Sequence, residues 1–203
     1  MNIAIVDYGM GNIHSITGAL TFLGVKDPCL THTPEKLAQA DRLLLPGVGN
    51  FATAMKRINM LGLGDVLTEL VLVQRKPILG ICLGMQLLGK GSTESGVNEG
   101  LGLIEGDVTE FSREGLKVPH VGYNQVAANI NTRLYKDINE NADFYFTHSF
   151  KMLSEIDIGQ SYCDYGSPFI ASFERDNIAG VQFHPELSQH NGLKLLKNFI
   201  ELF

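Results

Sequence analysis

Short apolar runs and helix-like periodic stretches alternate along the first half of the chain. The apolar runs predict buried strands at residues 3–6, 41–46 and 78–81, and a short strand is predicted at 29–32. Apolar spacing and the residues that begin and end helices predict helices at 13–23, 34–40, 51–58, 64–74 and 83–88. Asn12 is expected to cap the first helix, Gly24 to end it, and Pro46 to end the strand at 41–46. Strands and helices alternating at this spacing are typical of a parallel sheet with helices on both faces.

The pattern changes after residue 89. A polar stretch at 92–100 predicts a mobile loop, and residues 188–203 predict an amphipathic helix. Between them lie short predicted strands separated by turns, at 101–104, 107–111, 117–121, 125–128, 143–150, 158–163, 169–174 and 177–184. The expected fold is α/β: an open, mostly parallel central sheet with helices on both faces, plus additional antiparallel strands in the second half. Residues 1–203 show no repeat or linker and are expected to form a single domain.

Composition and charge exclude several classes of protein. Of the 203 residues 44% are hydrophobic, and a formal charge of −6 leaves no basic stripe to neutralise the phosphates of a nucleic acid. The three cysteines, Cys29, Cys82 and Cys163, are widely spaced, which indicates a reducing compartment without disulfides. The chain starts without a signal-peptide pattern, and no apolar run reaches membrane-spanning length. A cytoplasmic protein with no membrane or nucleic-acid partner is expected.

The most informative stretch is the junction of the strand at 78–81 with the helix at 83–88. Gly80 and Gly84 lie two residues before and two after Cys82, which is the frame of a sharp strand-to-helix turn that exposes a nucleophile. A cysteine at a helix N-terminus is also placed where the thiolate, its reactive form, is favoured. The alternative is a buried core cysteine beside two glycines that allow tight packing.

Two glycine-containing loops follow other strands. Gly9 and Gly11 lack the third glycine of a dinucleotide-binding loop, because His14 occupies that position. Residues 47–49 could turn peptide N–H groups toward a pocket, as an oxyanion site requires, or could form an ordinary strand-to-helix turn. In a parallel sheet these loops and Cys82 fall at the carboxyl ends of strands, where ligands bind.

His184 and Glu186 follow the strand at 177–184 and are separated by a proline. A carboxylate beside an imidazole selects the ring tautomer and leaves the other nitrogen to accept a thiol proton. Together with Cys82 they supply the groups of a cysteine acyl-transfer site. The alternatives are a surface histidine and a metal site, for which only His190 lies near as a third ligand. No metal and no cofactor is expected.

These motifs resemble the class I glutamine amidotransferases. The Cys82 turn, joined to Gln182-Phe-His-Pro-Glu186, specifies the family as a whole. Four further segments make the chain similar to one branch, the glutaminase subunits of imidazole glycerol phosphate synthase. They are residues 7–12, 45–49, 119–124 and 144–149. The resemblance covers nearly the whole chain.

The resemblance implies that the enzyme hydrolyses glutamine to glutamate and ammonia. Cys82 would be the nucleophile, His184 the base and then the acid, and Glu186 the group that orients the histidine. The oxyanion would be held by backbone N–H groups of Leu83, Val48 and Gly49. The glutamine pocket would include Gln86, Thr147, His148 and Ser149, with His148 a pocket neighbour and not a second base, and His120 a structural residue.

The resemblance also implies a heterodimer with a HisF-type (β/α)₈-barrel synthase subunit, which would use the ammonia to make imidazole glycerol phosphate and AICAR in histidine biosynthesis. The expected interface includes Asn12, Tyr123, Asn124 and Leu187. Tyr123 and Leu187 stand where the family usually has tryptophan and lysine. The alternatives are a paralogous subunit that feeds a variant barrel for surface-sugar amidation, and a stand-alone cysteine γ-glutamyl hydrolase. A third is a non-catalytic regulatory subunit.

Overall fold

A computed structural model describes all 203 residues, and its first half alternates strands and helices as predicted. The elements in order are β1 Ile3–Val6, α1 Ile13–Phe22, β2 Cys29–Thr31, α2 Pro34–Gln39, β3 Arg42–Gly47, α3 Phe51–Met60, α4 Leu63–Thr68, β4 Ile78–Cys82 and α5 Leu83–Leu87. Helix α4 continues into a π-helical turn at Glu69–Val73, so the helix predicted at 64–74 is present with a change of winding.

The second half consists of short strands and one closing helix. These elements are β5 Gly91–Ser92, β6 Asn98–Glu99, β7 Asp107–Glu110, β8 His120–Ala127, β9 Asn141–His148, β10 Phe150–Leu153, β11 Gln160–Asp164, β12 Pro168–Arg175, β13 Ile178–Val181 and α6 Gln189–Leu202. A 3-10 turn at Pro185–Leu187 connects β13 to α6.

Nine strands form the central sheet in the order β2-β1-β3-β4-β13-β12-β11-β8-β9. The first five are mutually parallel, and the remaining four pair antiparallel to their neighbours. A smaller sheet has the order β10-β7-β5-β6. The expected α/β fold with added antiparallel strands is confirmed, and β13 is the strand at which the two halves of the sheet meet.

Helices cover both faces of the central sheet, as predicted. Alternate residues of one strand serve opposite faces, so Ala4 and Val6 of β1 belong to one hydrophobic cluster and Ile3 and Ile5 to the other. The first cluster also contains buried residues of α2, α3, α4 and α5, and the second contains those of α1 and α6. The strands shared by both clusters are buried on both faces, which explains their continuous apolar runs.

Pro46 does not end its strand, contrary to the prediction. Strand β3 continues to Gly47, and Pro46 lies beside Ile81 of β4. On the other side β1 pairs with β3 only as far as Leu44. The missing N–H of the proline therefore costs no bond to β1.

The strand predicted at 101–104 is not formed. The N–H groups of Leu101 and Leu103 instead donate to the carbonyls of Leu87 and Leu88, at the end of α5. These backbone groups satisfy helix carbonyls that would otherwise lack a partner, and they are therefore not available for a sheet.

Four other predictions need correction. The polar stretch at 92–100 contains part of a hairpin, in which Gly91 pairs with Glu99. The strands predicted at 117–121 and 125–128 are one strand, β8, and the strand predicted at 143–150 divides into β9 and β10 at Ser149. Asn12 precedes α1, but its side chain makes no capping hydrogen bond.

Three parallel strands end side by side at one edge of the sheet. Gly47 of β3 lies opposite Cys82 of β4, and Ile81 lies opposite Val181 of β13. Residues that follow β13 therefore emerge next to Cys82, although they lie about a hundred positions further along the chain. This edge brings the candidate chemical groups together.

Candidate active site

Cys82 lies at an abrupt turn where β4 ends and α5 begins without an intervening residue. Its φ of +55° and ψ of −112° fall outside the regions that residues other than glycine ordinarily occupy, so the backbone is strained there. A Cβ on Gly84 would overlap the carbonyl oxygen of Leu45, and one on Gly80 would lie 2.7 Å from backbone atoms of Met85. The two glycines therefore allow the helix to start directly against the strands.

His184 and Glu186 lie beside this turn, just beyond β13. Nδ1 of His184 is 2.8 Å from Oε1 of Glu186, and the two side chains are only 3% and 1% exposed. The backbone N–H of His184 donates to the carbonyl of Tyr145 at 2.8 Å, which holds the histidine against β9. Since the carboxylate uses Nδ1, Nε2 of His184 is left without a hydrogen-bond partner.

The surroundings of His184 favour its charged form. Burial alone lowers the pKa of an imidazole, but here Cys82 and Glu186 outweigh burial and raise the pKa of His184 from 6.5 to about 10. The protonated form of the ring is therefore favoured when Cys82 and Glu186 both carry negative charge. Such a ring can stabilise negative charge on a neighbouring sulfur and donate a proton to a leaving group.

A cavity of about 300 Å³ borders Cys82. Its lining includes all the residues that the sequence pointed to for the pocket and the oxyanion site, namely Val48, Gly49, Leu83, Gln86, Thr147, His148 and Ser149. Glu94, Pro119 and Phe150 also line it and were not predicted. His184 and Glu186 do not line the cavity, so Cys82 lies between the space for a ligand and the buried ion pair.

Two backbone segments border the cavity and could hold an oxyanion. The first, which we call the oxyanion segment (residues 47–50), leads from β3 into α3 and contains Gly49 at a φ of +110°. The second is the start of α5, where the N–H of Leu83 has no acceptor within the helix. Both segments could be predicted from the sequence, because the glycines mark the first and the strand-to-helix junction marks the second.

Comparison with known proteins identifies the family to which this site belongs. The family model described as Glutamine amidotransferase class-I matches residues 4–202. This chain belongs to the class I glutamine amidotransferases. The amidotransferase is 47% identical over 201 residues to "Imidazole glycerol phosphate synthase subunit HisH 1" of Campylobacter jejuni strain RM1221, covering 98% of this chain and 100% of the relative.

Two further relatives extend the likeness to other organisms. Identity is 45% over 203 residues with "Imidazole glycerol phosphate synthase subunit HisH 2" of Pseudomonas aeruginosa, covering 98% of this chain and 99% of that protein. It is 43% over 203 residues with "Imidazole glycerol phosphate synthase subunit HisH" of Escherichia coli K12, covering both chains completely. The likeness therefore extends over the full length of these proteins.

Solved structures show the same fold at low sequence identity. A structure described as glutamine amidotransferase matches with a TM-score of 0.75 and 18% identity, covering 98% of this chain and 97% of the other. A chain in the structure of PurLQS from Thermotoga maritima matches with a TM-score of 0.72 and 18% identity, covering 98% of this chain and 97% of that one. These matches support the fold of the amidotransferase.

Two histidines near the pocket are held in the neutral form. His148 Nδ1 donates to the Phe150 carbonyl at 2.8 Å, so its Nε2 accepts from Nδ1 of His120 at 3.0 Å. Burial is the main cause that lowers the pKa of His148 to about 3 and that of His120 to about 4. Both ring nitrogens of His148 are therefore occupied by hydrogen bonds.

Sequence reasoning missed two polar side chains that lie at the site. Glu94 lines the cavity, and its Oε2 accepts a hydrogen bond of 2.7 Å from the N–H of Phe51, the first residue of α3. Gln182 is fully buried, and its Nε2 lies 3.8 Å from the sulfur of Cys82. The position of Gln182 in an otherwise apolar run was a usable signal, since a buried amide needs partners. Nothing in the sequence around Glu94 indicated its place in the pocket.

The structure brings together three of the four residues expected at a partner interface. Nδ2 of Asn12 is 3.5 Å from Oε1 of Glu186, and the half-exposed Tyr123 donates its hydroxyl to the carbonyl of Leu187 at 2.8 Å. Asn124 does not join them. It follows Tyr123 on β8, and its side chain bonds to the carbonyl of Asp164 instead.

No helix in the amidotransferase is both long and apolar enough to span a bilayer. No group of three or more histidine, cysteine, aspartate or glutamate side chains is arranged to hold a metal ion. His184, Glu186 and His190, considered above as ligands, therefore do not form such a group.

Proposed function

We propose that this chain is the glutaminase subunit of an imidazole glycerol phosphate synthase, with Cys82, His184 and Glu186 as its catalytic residues. The observation that carries the proposal is the placement of Cys82 on a strained turn, between a cavity and the buried His184–Glu186 pair. The full-length relatives at 43–47% identity support the choice of synthase.

In the first half-reaction, the sulfur of Cys82 attacks the side-chain amide carbon of glutamine. The negative charge that develops on the amide oxygen is stabilised by the N–H group of Leu83 and by N–H groups at Val48 and Gly49. Nε2 of His184 gives its proton to the amide nitrogen, the C–N bond breaks, and ammonia leaves with a glutamyl thioester on Cys82. That proton is the one that His184, acting as the base, first takes from the thiol of Cys82.

In the second half-reaction, water adds to the thioester. The now neutral His184 accepts a proton from the water, the C–S bond breaks, and glutamate is released. Glu186 keeps the ring oriented through both steps and stabilises its positive charge when it is protonated. The regenerated sulfur and the protonated His184 are then ready for the next glutamine.

The cavity offers groups that suit the rest of the substrate. Gln86, Thr147, His148 and Ser149 lie along its wall and would position the amide and the carboxylate of glutamine. Glu94 is the one carboxylate among the lining residues, which makes it the natural partner for the α-ammonium group. Its additional bond to the N–H of Phe51 keeps it at the pocket wall.

The partner would be a HisF-type (β/α)₈-barrel subunit, forming a cytoplasmic heterodimer. It would dock where Asn12, Tyr123 and Leu187 surround the turn that carries Glu186, so that ammonia is released toward the barrel. The barrel would use the ammonia to make imidazole glycerol phosphate and AICAR. The glutaminase itself needs no cofactor for this chemistry.

The test is glutamate release from glutamine by the purified chain, alone and with the barrel encoded beside it. We expect low activity alone, a strong rise with the barrel and its acceptor, and loss of activity in Cys82→Ala. Cys29→Ala serves as the matched control, because Cys29 lies on β2 and does not line the cavity. Equal activity with and without the barrel would instead indicate a stand-alone hydrolase.

A second candidate is a paralogous subunit that feeds a variant barrel for surface-sugar amidation. It is favoured by Leu187, which is 38% exposed at the expected interface, where the family usually has a lysine. A lysine-to-leucine change removes an ion pair and leaves the partner's acid unpaired, unless the partner has changed as well. Tight binding to an ordinary histidine-pathway barrel would exclude this candidate.

A further inference from the structure

Gln182 is a fully buried polar side chain whose role the reaction scheme above leaves open. It follows β13 and precedes His184 by two residues. Its side chain contacts two groups at the site: Nε2 lies 3.8 Å from the sulfur of Cys82, and Oε1 lies 2.9 Å from Nε2 of Gln86. A buried amide with these neighbours joins the nucleophile to the wall of the pocket.

The orientation of both amides follows from one carbonyl group. The carbonyl oxygen of Phe150 can only accept a hydrogen bond, so the Gln86 atom 3.1 Å from it must be the NH₂ group. That NH₂ group also faces Gln182, which must therefore present its oxygen to Gln86. The NH₂ group of Gln182 is thus directed at the sulfur of Cys82. Nδ1 of His148 donates to the same Phe150 carbonyl, which also holds this acceptor in place.

We propose that Gln182 is a catalytic donor to the reacting sulfur, whose N–H group stabilises the anionic form of Cys82 in the free enzyme and as the leaving group of the thioester. The proposal rests on the assignment of Cys82 as the nucleophile. An N–H group held in place before the reaction needs no reorganisation when charge develops on the sulfur. His184 and Gln182, two residues apart on one segment of chain, then act on the same sulfur.

The same contacts give Gln182 a second effect. By accepting from Gln86, it holds that side chain so that the carbonyl oxygen of Gln86 makes no bond within the chain and is left for a substrate N–H. Loss of Gln182 should therefore change both the reactivity of the sulfur and the binding of glutamine. A purely structural amide would change only the stability of the fold.

The experiment measures alkylation of Cys82 by chloroacetamide as a function of pH, resolved by peptide mass spectrometry so that Cys29 and Cys163 are counted separately. It needs neither glutamine nor the partner. In Gln182→Met, which keeps the volume and removes the donor, we expect the rate at neutral pH to fall about 10- to 100-fold. The pH at which the rate reaches half its plateau should rise by about one to two units.

Two further variants separate the loss of the N–H donor from a general loss of stability. Gln182→Glu keeps an oxygen for Gln86 but removes the N–H donor, so it should also shift the half-plateau upward. Asn198→Leu is the matched control, because Asn198 is another buried amide with two hydrogen bonds, far from the pocket on α6. It should lower the melting temperature without moving the alkylation profile.

An unchanged profile in folded Gln182→Met would overturn the proposal, as would an equal shift in Asn198→Leu. If Gln182→Met does not fold, the profile of Gln182→Glu decides in the same way. Failure of the proposed function is a separate result: the wild-type chain would then release no glutamate with its barrel, whatever the alkylation profile.

Discussion

The turn that carries Cys82 and the turn that carries His184 and Glu186 lie side by side at one sheet edge, but different forces hold them. The Cys82 turn is shaped by the backbone, with a positive φ at the cysteine and glycines on both sides. The turn after β13 is shaped by hydrogen bonds: the N–H of His184 donates to Tyr145, and the hydroxyl of Ser188 donates to the carbonyl of His184 at 2.6 Å.

This difference separates the tasks of the two turns. A strained backbone packed against neighbouring strands holds the nucleophile in one position. This suits a sulfur atom that must attack a particular carbon of the substrate. A turn held by hydrogen bonds can carry buried groups that exchange protons, while Leu187 of the same turn reaches the surface. Changes to the glycines of the first turn should therefore affect folding, and changes to His184 or Glu186 of the second should affect chemistry.

The largest effect is expected from His184→Asn. The variant removes the proton donor to the leaving ammonia, so glutamate release with the barrel should fall about 10³-fold or more. His190→Asn is the control, because His190 is an exposed histidine on α6, outside the site. A loss smaller than about tenfold would show that His184 does not transfer the proton.

Gly84→Ala should have the largest effect on the stability of the fold. The added Cβ would overlap the carbonyl oxygen of Leu45, which cannot move without disturbing the pairing of β3 with β4, and α5 follows β4 directly. We expect the free energy of unfolding to fall by about 3 kcal/mol or more, measured by urea titration. In Gly18→Ala, on the exposed side of α1 with no atom within 4 Å, stability should instead rise by about 0.5–1 kcal/mol.

A smaller effect, visible only in acid, is expected from the neutral histidine pair beside the pocket. The folded pKa of His120 is about 4, below the unfolded value of 6.5, so the unfolded chain binds more protons between these values. Stability should therefore be complete above pH 6.5 and should decrease as the pH falls toward 4, by about 1.4 kcal/mol per unit for this group.

His120→Phe tests this dependence while keeping a ring to stack between Phe146 and Tyr165. Urea titrations between pH 7 and pH 4 should show a shallower loss of stability in the variant than in the wild type. Above pH 7 the two slopes should agree, which provides an internal control. Equal slopes below pH 6 would mean that His120 is not held neutral in the folded protein.

The smallest effect is expected from Tyr123→Phe. It removes the 2.8 Å hydrogen bond to the carbonyl of Leu187 but keeps the ring, so the free energy of unfolding should fall by about 1 kcal/mol or less. Tyr162→Phe is a matched control, because Tyr162 is also partly exposed and its hydroxyl has no hydrogen-bond partner. A loss of several kcal/mol would mean that this bond, and not the network around His184, holds the second turn.

Much of the first half of the fold followed from local pattern. The strands at β1, β3 and β4 are buried on both faces, so they appear as continuous apolar runs, and the glycines around Cys82 signal a tight turn whatever lies around it. One prediction was wrong because the backbone partners of the segment lie outside it. Residues 101–104 look like a strand, but they bond to the end of α5.

The sequence by itself determined the alternating strands and helices, the strained cysteine turn, and the histidine and carboxylate that follow the last strand of the sheet. These features depend on residues within a few positions of one another. Only the tertiary structure decided that Gln182 directs its amide at Cys82, 100 positions away, and that Glu94 lines the pocket. The physical reason is that such contacts depend on the order of strands in the sheet, which places β13 next to β4, and no local preference specifies that order.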